Sequence, residues 1–479
     1  MNIGLRRVVV GSVGIFGAAL GWLLSFKILA YSLGPEGVGL FGQSRQVVQT
    51  ATLIATYGGT NVLVQGLSSQ RDDGSRAQLR AAAFKFFGLS GLAVVLVMLV
   101  FAEPLAHMAF SSSSIELVSA VRWLALTVLC SAAASYCVAL LNAYHSHNHM
   151  ALAQSAGPIL LPLFIWTNLS DAPVSAESLA TALFVCFGVG WLAGAWGKLG
   201  LRLTARQPGD ASMSAQEFAE FRRFAWFNLL AVISSVLALL TVRAWIIEAK
   251  GWDFAGLFEA GWTLSFNYTT LFLTACNTFY LPMLAGASVG AQQRACILKV
   301  AYGVLGVSVL VCYAMIVWQD ALIHLFYSSR FEASGEVFSV LVVAVMLRGV
   351  SWVYGTLLVA TRRAKVLLIS DLAMNLGLLV TVRYALNTQA SLEALGWAFV
   401  LPHFLYLVFI VEYVRKANLM MRRRHIWPVL LVAVAPLVFL VVTPDYLRWS
   451  SAGYVRAIIG AFCLVLCGMI YRAFKKVVI

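Results

Sequence analysis

The stretch LAYSLGPEGVGLFGQSRQ, residues 29–46, joins two strongly apolar segments through a short Gly/Pro turn. Lys27 lies just before it and Arg45 within it, each six residues from the turn. At 1.5 Å of rise per residue, both cations sit about 9 Å inside a helix hairpin. A cation at the centre of a membrane helix costs roughly 2.5–3.5 kcal/mol. The stretch therefore reads as two spanning helices whose buried charges need a use.

The rest of the chain fits a membrane. Of its 479 residues 61% are hydrophobic and only 11% charged, and windows of 18 or more apolar residues recur throughout. That composition defines an all-α polytopic membrane protein. The first apolar run follows Arg7 and continues from Val8 to Leu33 without a small-residue cleavage site, so it reads as a spanning helix and not a removed leader. Predicted spans are 8–33, 39–66, 80–101, 118–143, 150–167, 178–199, 223–248, 254–281, 298–318, 335–360, 366–386, 394–414, 426–443 and 454–473, which makes 14 helices. With the amino terminus inside, 24 of the 34 Lys and Arg fall on cytoplasmic ends and loops. That bias puts both termini in the cytoplasm. The net charge of +14 lies in short clusters between apolar runs, a loop signature that excludes a nucleic-acid surface. Cysteines 130, 137, 186, 276, 296, 312, 463 and 467 lie in or beside apolar segments, with neither metal nor disulfide spacing. They read as buried free thiols.

The loop from Gly200 to Arg222 falls almost midway along the first 12 helices, and a basic loop from Arg415 isolates the last two. The expected domains are a six-helix lobe over 1–210, a second over 211–414, and helices 13 and 14 over 415–479. A shift of 217 residues sets LGPEGVGLF (33–41) on KGWDFAGLF (250–258), matching Gly34 with Gly251, Glu36 with Asp253, and GLF with GLF. Six-helix repeats are a transporter design, with the substrate site at their interface.

The basic residues that stand out inside predicted helices are Lys27, Arg45, Arg122, Arg243, Arg348 and Arg383. Arg122 and Arg383 lie within about a turn of an end and read as snorkelling to the interface. Lys27, Arg45, Arg243 and Arg348 are too deep for that, and read as lining a water-filled central cavity that meets an anion. Arg45, Gln49, Thr52, Thr56 and Thr60 form a polar stripe at helical spacing, and Thr263, Asn267, Thr270, Thr274 and Asn277 mark the repeat-related helix. Two readings of the stripes stand, a hydrophilic substrate path and interhelical hydrogen bonding. Glu259 and Asp371 are candidates for ion or proton coupling or for pairing with a cavity Arg. Pro158, Pro162 and Pro402 mark bending points, and the GAALG and GWLAG motifs mark close helix contacts. HSHNH (145–149) reads as a solvated turn, not a metal site. No GxxxxGK[ST] loop, catalytic triad, DxD pair or cofactor motif occurs, so nothing points to ATP hydrolysis, an enzyme or a cofactor.

LGPEGVGLFGQSRQ after a first membrane helix resembles the opening of the Wzx-type lipid-linked oligosaccharide flippases, in the multidrug/oligosaccharidyl-lipid/polysaccharide exporter superfamily. The resemblance is to the O-antigen and enterobacterial-common-antigen branch. It continues through GWDFAGLFEAGWTLSFNY (251–268), NTFYLPMLA (277–285) and VMLRGVSWVYGTLLVATRRAK (345–365). It implies two lobes around a central cavity and outward movement of an undecaprenyl-pyrophosphate-linked oligosaccharide. Lys27, Arg45, Arg243 and Arg348 match the cationic positions that contact pyrophosphate and acidic sugars. Implied partners are a polysaccharide polymerase and a chain-length regulator. Three rivals are weighed beside it: a peptidoglycan-type precursor flippase, a drug/cation antiporter of the same superfamily, and a membrane glycan polymerase or ligase. An antiporter for cations needs acids in its cavity, whereas bases outnumber acids here. A polymerase needs a substantial outward loop with catalytic pairs, which 102–117 and 319–334 do not carry.

Overall fold

A computed structural model describes residues 3–57, 59–60, 63–64, 67, 73–169, 175–202, 215–267, 273, 291–360, 363–388 and 391–416. These form thirteen helices: α1 Ile3–Ser32, α2 Gly34–Ala55, α3 Asp73–Val100, α4 Ala102–Phe110, α5 Ile115–Ala143, α6 His147–Leu169, α7 Ala176–Arg202, α8 Ala215–Trp262, α9 Ala291–Val317, α10 Gln319–Phe326, α11 Ser334–Ala360, α12 Ala364–Thr388 and α13 Leu392–Lys416. Ten spans among the described residues are long and apolar enough to cross a membrane. The predicted helices 13 and 14 (426–443 and 454–473) lie outside the described residues.

The opening turn is built as its residues dictate. Gly34 takes φ 69°, Pro35 starts α2 where a missing N–H costs nothing, and Glu36 sits in the first turn against the positive end of the helix dipole. At the position 217 residues on, Gly251 takes φ 82° and breaks α8, followed by Asp253 as Glu36 follows Gly34. The repeat extends well beyond that motif. α3, α4, α5, α6 and α7 recur as α9, α10, α11, α12 and α13 at the same offset to within three residues at each end.

Three local expectations differ from the structure. Helix α2 ends at Ala55 instead of continuing to 66, because Thr56 caps it and Tyr57 turns left-handed at φ 51°. The YGG that follows Thr56 is the breaker. The winding after α8 widens to a π-helical turn over Thr263–Asn267. The segments 102–117 and 319–334, expected as loops, hold the short helices α4 and α10, another repeat-related pair.

The chain divides into two compact units. The first comprises Met1–Gly256 with Phe326–Ser328, and the second comprises the described residues of Leu257–Leu325 and from Ser329 onward. In each unit one helix is the core: 72% of the apolar window of α5 and 89% of that of α11 is buried, against 22% for α3 and for α12. Leu89, Leu92, Leu96 and Val100 of α3 and Ile369, Leu376 and Val380 of α12 point outward. In water such patches would be a liability, whereas acyl chains accept them. In the first unit α1 lies on α6 through the GAALG stripe. A Cβ on Gly17 would stand 3.3 Å from Ser155 Cβ, and one on Gly21 would collide with the Pro158 carbonyl. Pro162, lacking an N–H, cannot pair that carbonyl within the helix. GWLAG acts likewise on α7, where a Cβ on Gly194 would stand 2.8 Å from Cys137.

Candidate functional site

Three of the four deep cations belong to the first unit. Arg45 is buried on α2, its guanidinium 5.2 Å from the Trp22 ring centroid and 5.0 Å from that of Phe26, both on α1. Cation–π contact of this kind holds a guanidinium without neutralising it. Lys27, one residue beyond Phe26, is half-buried and donates to the Tyr327 carbonyl, with the Tyr31 ring 6.0 Å away. The hairpin thus brings Lys27 and Arg45 to one neighbourhood, with their charged ends turned to different partners. Arg243 is buried on α8.

Arg348 belongs to the second unit. From Val337 to Leu358 every residue of α11 is buried except Trp352, which is half-buried, and Arg348, which is exposed. The helix opens to accessible space at its one cation. The guanidinium lies 5.7 Å from the Phe266 ring. Phe266 is stacked on Trp262 at 4.0 Å and 7°, and Phe399 and His403 pack on the same rings. Arg348 acts electrostatically on Asp371 of α12, which also accepts a hydrogen bond from Tyr406 of α13. His403 bonds the Phe399 carbonyl through Nδ1 at 2.7 Å. At the offset of 217 these four positions are Ser131, Gln154, Cys186 and Val189 in the first unit, so the charged cluster occurs in one repeat alone.

The polar stripes divide. Gln49 is exposed, while Thr52 and Thr56 are buried, and the Thr56 hydroxyl donates to its own helix at Thr52 O, 2.9 Å away. Thr60 follows the turn that ends α2 and is off the stripe. In the repeat, Thr263 donates to Glu259 at 2.9 Å, both side chains buried. Asn267 ends the π-helical turn, and Thr270, Thr274 and Asn277 lie outside the described residues. Arg122 and Arg383 are exposed. Cys130, Cys137, Cys186 and Cys312 are free and buried.

Sequence reading missed the Trp262–Phe266 stack. Its signal was the repeat itself: Trp262 and Phe266 stand where Arg45 and Gln49 stand in the first half.

Repeated sets of membrane-length helices, with cations set deep in them, define a multi-pass membrane protein. Comparison with known proteins makes the fold specific. The chain is 22% identical over 379 residues to the lipid III flippases of Escherichia coli (strain K12) and Shigella flexneri, covering 78% of this chain and 89% of theirs. Among solved structures it superposes on the lipid II flippase MurJ in an inward closed conformation with a TM-score of 0.70, at 11% identity over 98% of this chain and 99% of that one. An inward-facing multidrug-resistance MATE transporter of the MOP superfamily follows at a TM-score of 0.65, 16% identity, and coverage of 85% and 98%. No protein-family model matches. The fold is that of the MurJ- and MATE-type transporters of the MOP superfamily. The proteins that share it here are flippases and transporters, not enzymes.

Proposed function

We propose that this protein is a flippase that moves a polyprenyl-diphosphate-linked saccharide from the cytoplasmic to the periplasmic leaflet by alternating access. The observation that carries the reading is the sign of the deep charge. Arg45 is held buried against two rings, and Arg348 is the one exposed residue of α11 between Val337 and Leu358. Cations held this way suit an anionic headgroup, and Arg offers the bidentate geometry that phosphate takes.

In this reading Lys27, Arg45, Arg243 and Arg348 meet the diphosphate. Gln49, Thr52 and the other stripe residues offer hydrogen bonds to sugar hydroxyls, and the prenyl tail stays in lipid. The lobes 1–210 and 211–414 are the moving parts, and both termini are cytoplasmic. An inside-negative potential favours exit of the anion by roughly 2.3 kcal/mol per charge per 100 mV. Asp371, beside Arg348, is the candidate for coupling to an ion. The names of the relatives, lipid III flippase and lipid II flippase, favour a lipid-linked cargo over a drug, a class that holds the peptidoglycan-type precursor as well as the O-antigen or common-antigen repeat unit. A polymerase or chain-length regulator is a partner only under the O-antigen alternative.

The test is thermal stability of the purified protein with undecaprenyl diphosphate, undecaprenyl monophosphate or a lipophilic organic cation. A ligand at a hundred times its Kd stabilises by about 2.7 kcal/mol. Selective stabilisation by the diphosphate, lost in Arg45→Ala, is expected. Stabilisation by the organic cation alone overturns the reading in favour of a drug transporter.

A further inference from the structure

The short helices α4 and α10 end in repeat-related ways. Ser111, just past α4, donates to the Ala244 carbonyl of α8 at 3.1 Å, and Ser328, just past α10, donates to the Ala30 carbonyl of α1 at 3.4 Å. Ser111 and Ser328 are 217 residues apart. So the residues that follow each short helix are tied to a long helix within the first unit. Both short helices also have a side chain on a terminal carbonyl. Gln43 Nε2 donates to the Ala109 carbonyl at 2.5 Å, whereas Lys27 donates to the Tyr327 carbonyl.

That difference is the informative one. The carboxyl end of a helix carries a partial negative charge that any donor can satisfy, and Gln43 does so without a charge. The position equivalent to Lys27 in the other repeat is Ala244. An ammonium at this depth is expensive, so a merely structural tie has no need of it. Arg45 lies one ring away: the centroid of Phe26, the residue before Lys27, is 5.0 Å from the Arg45 guanidinium and 6.4 Å from that of the Tyr327 ring.

We propose that Lys27 is a releasable latch, whose ammonium holds the Phe326–Ser328 segment on α1 until an anionic diphosphate at Arg45 draws it away. The inference rests on the flippase reading and adds its trigger. Arrival of the headgroup exchanges a helix-end carbonyl for a phosphate oxygen as the partner of one ammonium. The tie weakens only when cargo is present, which prevents an empty cycle.

Ala30 is fully buried and its carbonyl belongs to the tie, so Ala30→Cys reports the latch. Labelling by a water-soluble maleimide is scored by mass spectrometry on the peptide carrying position 30, in the full-length protein. A hydrogen bond from a charged group governs opening by roughly tenfold or more. Undecaprenyl diphosphate is expected to speed labelling by about that factor. Lys27→Ala labels fast without it and does not respond further. Ser328→Ala, which leaves the ammonium in place, labels at an intermediate rate and still responds. Equal labelling of Lys27→Ala and the unmutated latch overturns the proposal. If the diphosphate raises thermal stability without speeding labelling, the latch falls and the flippase reading stands. If it does neither, both fall.

Discussion

The backbones of Gly39 and Gly256 touch. A Cβ on Gly39 would lie 2.8 Å from Gly256 N and 2.8 Å from the Trp252 carbonyl, while one on Gly256 would run into the Pro35 carbonyl. The two glycines are 217 residues apart, so equivalent points of the two repeats meet in the first unit. Backbone against backbone leaves nothing flexible to move aside.

Gly256→Ala is therefore expected to destabilise the protein by more than about 2 kcal/mol, the range that marks overpacking. Gly91→Ala is the control, because nothing lies within 4 Å of a Cβ there. Melting in detergent checks both: a large fall for the first, and a change within about 0.5 kcal/mol for the second.

Gly251 isolates a conformational cost from a steric one. Its φ is 82° with ψ −178°, and a Cβ would meet open space, so Gly251→Ala pays only for a backbone region that is essentially glycine's own, about 1–3 kcal/mol. Gly251→Asn should cost as much, since Asn is tolerated in the left-handed helical region and not at this ψ. A much smaller loss for Asn in thermal melts would mean that the strain lies elsewhere.

Much of this was legible in the sequence. The spans, the turn at Gly34 and the repeat register at Gly251 follow from hydropathy and from GPEG set against GWDF. What escaped was set by tertiary partners. α4 and α10 are 9 and 8 residues long, too short for a spanning signal, and hydropathy at their segments resembles a loop's. The stripe on α2 was read as one continuous face, and the left-handed Tyr57 interrupts it. The partition of the deep cations, three in one unit and Arg348 in the other, follows from packing over long sequence separations. No local pattern encodes which ring a guanidinium will choose.

Arg45 tests that choice. Arg45→Lys keeps the charge but gives up the planar group that lies on Trp22 and Phe26. It should retain part of the diphosphate stabilisation that Arg45→Ala loses, with a deficit of about 0.5–2 kcal/mol from the cation–π term. Thermal shifts of the two variants against diphosphate concentration measure it.

Arg348 and Asp371 form the last test, and it concerns coupling between two charges. Arg348 acts on an Asp371 that already accepts from Tyr406, so each charge favours the other. Arg348 is exposed and Asp371 half-buried, and a pair this open is worth about 1 kcal/mol at most. Arg348→Ala is thus expected to cost about that much, and Asp371→Asn added to it should restore part of the loss, because the carboxylate left behind is gone. The cycle of the four proteins, melted under one condition, gives the coupling directly. A double variant no more stable than Arg348→Ala would show that Asp371 does not balance Arg348. The charge on α11 would then depend on the Phe266 stack and the accessible space beside it.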